Sequence, residues 1–564
     1  MFVKKSWSQS KGKKHFTYEI VESYRPAPGK NPRTRKIANI THLPLDMIAK
    51  IRRLLKNPDA KIIDDTSSVF RTSFVLGPLL VIYLVMRQMG ICDVLKCLPK
   101  VSRLLLIGVI INRILDPRSK LGSVSWIKKT AFSFMFGIDT EALQVNAVYR
   151  AMDVLYERLD ELMDDFFRRN SAGGVRLLLY DITSIYFEGK GPQGIAFNGY
   201  SRDKRPDRPQ IILCLCLNER KLPIFFEVLA GNITDKTTVI PLIKKLKQRF
   251  SIQETIFIGD RGMVSQANID FMEREEGLDY IIALSHSQAR QILFDKVVNQ
   301  LDVFQQELPV TVYREEEILD TNNQQHSVTR KYVLCGSPYR REHDVFVLNR
   351  LLEKGRKALE SVQKMVEQGR LKDHDKVIRR AQKKLTQTKT QHFYDFAYAN
   401  GVFTLLERTE NIARAQALCG HYLLKTTVSE MADTTVEEQY KQLQVVERAF
   451  RDVKDWIEIR PIFHYKERRV KSHIFLSLIA QSIASSIRDV LKSHHWLQAE
   501  VENSCDHFLD KMNEIKLGIL HIEDKDEQVI SYITPEHKKF IRMFGFKIGY
   551  FTNREEMSKL CRLR

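Results

Sequence analysis

The sequence has no paired cysteines. Its eight, Cys92, Cys97, Cys214, Cys216, Cys335, Cys419, Cys505 and Cys561, are scattered without a Cys-x2-Cys spacing. That excludes a zinc knuckle and a disulfide framework and points to reduced thiols in a cytoplasmic chain. No signal peptide is read at the start, where basic and polar residues have no apolar segment behind them. The longest apolar run, Phe74 to Met86, stops at Arg87. It is short of the roughly 20 residues a bilayer span needs and is read as a buried helix, so no membrane partner is expected. Acid is also in short supply. Against 89 Lys and Arg stand 69 Asp and Glu, a formal charge of +20, which favours a polyanionic partner because surface cations release counterions from phosphate. Ribosomal, membrane-surface and DNA proteins share that balance, so charge alone does not choose among them.

What is present is a globular composition, 43% hydrophobic and 28% charged over 564 residues, too long for one ordinary core. Residues 1–45 are very basic, and His15 to Tyr24 alternates like a strand before a Pro26 to Pro32 loop. A small strand-rich unit is expected, its cations and aromatics suited either to DNA contact or to a solubilising arm. Residues 46–172 carry helical spacing, as in Tyr149, Met152, Leu155, Leu159 and Leu162, and predict a helical domain. From 173 to 284 strands and helices alternate: a strand into Asp181, a loop from Gly189 to Pro209, strands at 210–217 and 222–229 joined by a turn at 218–221. A helix capped near Asp235, a strand into Asp260, a helix capped by Ser265 and a strand at 280–284 follow. Cys214 and Cys216 share a strand face and are most simply buried apolar residues. Three strands, then helix, strand, helix, strand is the order of the ribonuclease H-like fold, which places Asp181 and Asp260 on neighbouring strands.

A further 187 positions separate Asp260 from Glu447, more than one strand and one helix require, so an insertion over 285–430 is predicted. Within it Val310–Tyr313, Lys331–Leu334, Val345–Leu348, 401–406 and 420–425 read as strands, and Leu351 to about Lys389 as one or two exposed helices. The run Arg379, Arg380, Lys383, Lys384 is either a solvated face or a DNA grip. The core is expected to resume over 431–495, with an apolar helix from Ile474 to Leu491. Residues 496–564 have no assignment beyond dimer contacts. The fold class is thus α/β: a ribonuclease H-like core interrupted by a long strand-containing insertion, preceded by a basic strand-rich unit and a helical domain.

The chemistry centres on Tyr440 to Lys454. The stretch lacks Pro and Gly and repeats Val445, Ala449 and Val453 at four-residue steps, so one helix is predicted. Tyr440, Glu447 and Lys454 stand seven residues apart, two turns, and would form one stripe. Alone, that stripe could be a solvated face, just as Asp260-Arg261-Gly262 could be a turn. Two Asp at strand ends and one helical Glu together make the pattern of an acidic metal site. Glu188 and Asp235 are better explained by a surface loop and a helix start. Packing or phosphate contact explains His464 and His473 better than metal ligation does, and Trp456 is read as core before base stacking.

At these residues the chain resembles the DDE transposases of bacterial insertion sequences, in the insertion-sequence-four-like group with a Tyr-x2-Arg-x3-Glu-x6-Lys signature and a strand-rich insertion. The match reads Tyr440, Leu443, Glu447 and Lys454, with Leu443 in the Arg place. The resemblance implies that Asp181, Asp260 and Glu447 are catalytic and hold two Mg²⁺ ions, Mn²⁺ being able to substitute, with Asp181 bridging both. Such a pair assists the attacking and the leaving oxygen of a phosphodiester. Tyr440 and Lys454 would touch transposon-end phosphates, and Arg451, or else Arg448, would replace the missing Arg. Arg460 and His464 bound an Arg-Pro-Ile-aromatic-His stretch the family shares, Lys466 follows just after it, and Arg202 and Arg205 in the 189–209 loop complete the expected DNA contacts. The implied partners are double-stranded DNA, as terminal repeats and target, and a second copy in a homodimer, in a cytoplasmic, nucleoid-associated protein. Two other readings stand beside this one: a DNA-binding relative without catalysis, and a nuclease of the same fold that never transfers strands.

Overall fold

The structure, a computed structural model, describes residues 1–10, 13–26, 31–57, 68–141, 143–170, 175–218, 222–234, 237–250, 255–260, 262, 265–275, 277–293, 308–321, 324–494, 504–522 and 525–562. Asp235, Arg261 and the turn residues 219–221 lie outside them, as does most of the Pro26 to Pro32 loop.

The basic opening segment forms an antiparallel sheet of β1 (Phe2–Ser10), β2 (Lys13–Tyr24) and β3 (Arg33–Asn39). Val3, Tyr18 and Ile20 give it an apolar patch, which the helix Leu45–Lys56 covers with Ile48, Ile51 and Leu55. That helix therefore packs with the strands before it. Farther along the same face the cover ends, and Lys5 stands 4.1 Å from the Phe16 ring centre and Lys14 4.8 Å from that of Trp7.

Within residues 46–172, expected to be helical, a strand follows the helix Leu45–Lys56: β4 (Ser68–Val75). It takes the first two residues of the Phe74 to Met86 run, and the buried helix begins only at Gly77, with Pro78 in its first turn, where a proline needs no N–H partner.

Most strands join one mixed sheet. β5 (Leu177–Tyr186), β6 (Gln210–Leu217), β7 (Pro223–Ala230), β8 (Thr255–Gly259) and β9 (Leu278–Ala283) are extended by β10 (Val310–Thr321) and β11 (Gln324–Gly336). β12 (Tyr394–Ala399) and β13 (Val402–Glu407) form a separate hairpin, and β14 (His421–Thr426) returns to the sheet, whose order is β10-β11-β14-β9-β8-β5-β6-β7. β5, β8 and β9 are parallel; β6 and β14 run against them.

Residues Val345–Leu348 are not a strand. They sit inside the 30-residue helix Pro338–Glu367, with Phe346 58% exposed. Four contiguous apolar residues fit either state, and the flanking run of straight-chain residues decides for helix. Leu359, Val362 and Val366 of that helix bury against Val377, Ala381 and Leu385 of the helix His374–Thr388, with Phe403 of the hairpin closing the cluster.

Alternation assigns the two faces of the sheet. Leu178, Tyr180, Ile182, Cys214 and Cys216 pack with the helices Val239–Phe250 and Gln266–Arg274. Leu177, Leu179, Ile185, Leu213 and Leu215 face a larger core shared with the helices Gly77–Gln88, Lys100–Leu115 and Val145–Glu157 and with Glu467–Ser493. Glu467–Ser493 is long and apolar enough to cross a bilayer, but most of its apolar stretch lies inside this core. The C-terminal region joins the same body, because β15 (Lys516–Ile522) pairs with β4 on one side and β16 (Lys525–Ile530) on the other.

A candidate acidic site beneath a basic groove

Period-two alternation settles where Asp181 points. It shares parity with Leu177, Leu179 and Ile185, so it lies on the face of the larger core. Leu179 is the register partner of Ile258 on parallel β8. Two residues beyond each come Asp181, in the middle of β5 and not at the strand end expected for it, and Asp260, just past the end of β8, which therefore stand side by side on adjacent strands.

The third acid arrives from a helix laid across that face. Leu443–Arg451 buries Leu443, Val446, Ala449 and Phe450 and leaves Gln444, Glu447, Arg448 and Arg451 on the outer side. Asp181 registers both other acids. Its carboxyl is pushed up to about 7, first by burial and then by the charges of Asp260 and Glu447. The Ile182 N–H, donating to Oδ1 at 2.7 Å, and the nearby Arg202 pull the other way. Among the described residues no three His, Cys, Asp or Glu side chains stand close enough to grip one ion as they are. The three acids thus share a neighbourhood without forming a finished cage.

Glu447 opens into a groove of about 450 Å³ lined by Lys441, Arg448, Arg451, Arg488 and Lys492 among others. Arg488 is committed to Asp452 at 2.8 Å. Arg448 and Arg451 are exposed and line the groove. Lys441 and Lys492 were not singled out in the sequence, since Lys492 sits at the far end of an apolar helix whose orientation a linear reading does not reveal.

The predicted stripe is broken at both ends. A turn at Gln442 separates the helix Asp433–Lys441, which carries Tyr440, from Leu443–Arg451, and a π-helical turn follows at Asp452–Trp456. Tyr440 packs against Tyr422, ring centres 5.9 Å apart. The π turn rotates Lys454 inward, where its Nζ donates to Asp203 Oδ1 at 2.7 Å. Arg460 Nη1 reaches the same oxygen at 3.1 Å. Asp203 itself is buried, its side chain 3% exposed. Lys454 and Arg460, both expected on phosphate, are therefore held by a carboxylate inside the protein. Asp203 was missed because it stands in a run of cations, Arg202 to Arg205, where an acid reads as a surface residue.

The loop bearing Asp203 is fastened to the sheet. The Arg202 N–H donates to Ser184 Oγ at 2.8 Å, and Gln210 Nε2 donates to the Tyr200 and Gly231 carbonyls at 3.0 Å. A Cβ on Gly199 would meet the Gly231 carbonyl at 2.2 Å, so only glycine allows this approach. Arg205 pairs in a fork with Asp207 at 2.9 and 3.0 Å, and Lys466 is exposed. Burial, then Lys120 and Arg113, push His464 down to about 3, so the ring is neutral and offers phosphate no charge. His473 is buried between Lys120 Nζ at 3.2 Å and the Ile459 carbonyl at 3.0 Å, a packing role. Trp456 donates Nε1 to the Ile114 carbonyl at 3.2 Å, in agreement with a core position.

The place of Leu443 is informative. It is 8% exposed and faces the larger core, so an Arg written there would point inward. Leu443→Arg is expected to cost about 2 to 3 kcal/mol through poorer packing and an ill-paired charge, read as a lower urea midpoint with no gain in DNA affinity. A variant as stable as the parent and binding DNA more tightly would show that this helix presents a different face.

Comparison with known families gives two matches. The family described as "Transposase DDE domain" matches residues 173–483, more than half of the chain. That described as "IS1634 family transposase, N-terminal domain" matches residues 3–63. No curated protein matches the chain.

Proposed function

The chain belongs to the DDE transposases of bacterial insertion sequences, and from that premise we propose that it binds the terminal inverted repeats of its element, hydrolyses the phosphodiester at each end and joins the freed 3′ hydroxyl to target DNA. The observation that supports this reading is that Asp181 and Asp260 stand on paired strands with the Glu447 helix laid across the same sheet face beside a basic groove, near enough for both other acids to raise the Asp181 carboxyl. The strand order β7-β6-β5-β8-β9, with β5, β8 and β9 parallel, supports a ribonuclease H-like core. The chain between β9 and the Glu447 helix, which adds three strands to the sheet edge and a helical pair beside a hairpin, supports an insertion.

The donors fit a hard divalent cation, being oxygen-only and anionic, with a crowded Asp181 carboxyl whose charge a cation would offset. When bound, Mg²⁺, as two ions or replaced by Mn²⁺, supplies activation of the attacking oxygen and stabilisation of the departing one. Asp181, Asp260 and Glu447 would hold it. The chain's cations place the DNA: Arg448, Arg451 and Lys492 along the groove take backbone phosphates, and Arg202 moderates the negative field beside Asp181. The exposed Lys5 and Lys14 with their aromatic partners make the amino-terminal sheet a second contact with the repeat. A homodimer holding two ends together follows from the same reading.

Purified protein with Mg²⁺ and a labelled duplex carrying the element's end is expected to yield nicked and joined products. Binding without any cutting would favour the non-catalytic reading, and cutting without joining the nuclease.

The crowded carboxyl also sets a pH dependence. Asp181 binds its proton more tightly folded than unfolded, so its favourable contribution is complete below about 3.8 and is lost as pH rises through about 7. In metal-free buffer at pH 8, Asp181→Asn removes a penalty of up to about 4 kcal/mol and is expected to raise the melting temperature. Added Mg²⁺ should then stabilise the parent and leave the variant unmoved. A variant that melts below the parent at pH 8 would contradict the buried, mutually repelling arrangement.

A further inference from the structure

A second basic groove, of about 660 Å³, lies where the helices near residues 83–103 meet the C-terminal helices Gly549–Thr552 and Arg554–Cys561. Its cations are Arg87, Lys96, Arg103, Lys547, Lys559 and Arg562, set against Asp93 and Glu556. It shares no lining residue with the groove that carries Glu447. Arg87 Nη1 donates to the Leu560 carbonyl at 2.7 Å and so ties the two sets of helices together.

Two features indicate a ligand. Arg103 is 6% exposed, and its buried Nε has no hydrogen-bond partner among the described residues. A guanidinium so largely buried, with an empty donor, is costly unless an anion nearby offsets its charge. Next, Lys96, Lys547 and Arg562 are exposed and make no ion pair among the described residues, while Lys559 reaches only Glu555 on its own helix, at 3.8 Å. The floor is formed by Tyr83, Cys92 and Leu560, and burial pushes the Cys92 thiol up to about 12. A cationic wall over a low-dielectric floor strengthens attraction for anions. The cations are drawn from separate helices along an open groove, an arrangement that suits a run of phosphates more than one small anion.

We infer that this groove takes the phosphodiester backbone of double-stranded DNA, at a place distinct from the acid-bearing face. The inference rests on the reading that the protein handles DNA, and gives the C-terminal region a part in it. Neutralising exposed Lys96 and Lys547 leaves the buried core untouched, so the full-length double variant K96Q/K547Q is the test, with Arg103→Met beside it.

Fluorescence anisotropy of a labelled duplex is measured against NaCl concentration. The slope of log affinity on log salt is expected to fall by about two in the double variant, about one for each phosphate that is no longer neutralised. Affinity near 150 mM salt should drop about tenfold or more, with nicking at saturating DNA retained. An unchanged slope overturns the inference. So does a parent melting temperature raised by inorganic phosphate or ATP, an effect absent from Arg103→Met, when the duplex slope does not change, since the groove would then serve a small phosphorylated ligand. A parent protein that binds no duplex at all removes the transposase reading itself, which keeps the two failures apart.

Discussion

Asp181→Ala is expected to abolish strand cleavage and joining while binding to the terminal repeat stays within a few-fold of the parent. Activating an oxygen nucleophile and stabilising an oxygen leaving group through bound cations is worth several kcal/mol, and each 1.36 kcal/mol is tenfold in rate. Loss of the carboxylate coupled to both other acids should therefore lower the cleavage rate by about 10³-fold or more. Asp181 is half-buried on the sheet face, and the groove cations stand on other elements, so affinity for DNA has no reason to fall with it. Cleavage reduced less than tenfold would mean the chemistry lies elsewhere. Affinity falling in parallel with cleavage would mean that Asp181 holds the fold of the site and not the reaction.

Asp203→Ala is expected to destabilise the protein by about 3 to 5 kcal/mol, the usual cost of stripping one partner from a buried pair. Lys454 and Arg460 meet on one Asp203 oxygen at 2.7 and 3.1 Å, and the Lys454 side chain is only 11% exposed. Burial already lowers the pKa of Lys454, and the Asp203 charge opposes that fall. Without the carboxylate the lysine would be left buried and charged or forced to give up its proton. Chemical denaturation of Asp203→Ala, Lys454→Met and the double variant completes a cycle, in which a coupling of about 2 kcal/mol or more is expected for groups in direct contact. Additive effects would instead show that Lys454 works outward, on DNA. The same cycle separates two roles that a DNA-binding assay alone would confuse.

Much of the fold was legible because it depends on neighbours in sequence. Alternation in Leu177–Tyr186 and Gln210–Leu217 located strands and their faces, and the apolar run before Asp260 placed that acid at a strand end, whereas β5 runs on past Asp181 to Tyr186 because Ile182 to Ile185 keep the strand buried. The amphipathic spacing around Glu447 located its helix. Val345–Leu348 misled because four contiguous apolar residues carry no period, and the helix on either side decided their state. The stripe through Tyr440, Glu447 and Lys454 misled for a related reason. It assumed ideal helix geometry over fifteen positions, and a turn at Gln442 and a π turn at Asp452 rotate its ends away. β4 could not be foreseen, since its partner β15 lies more than 400 residues farther along the chain.

The residues alone determined an excess of positive charge that favours a polyanionic partner, two aspartates that follow apolar strand-forming runs and a glutamate on the outer face of a helix, because charge, alternation and helical period are properties of short stretches. Only the tertiary structure decided which cations remain for that partner. Asp203 and Lys454 are 251 positions apart and touch, and whether a cation is satisfied inside the protein or left facing solvent depends on what folding brings within about 3 Å of it.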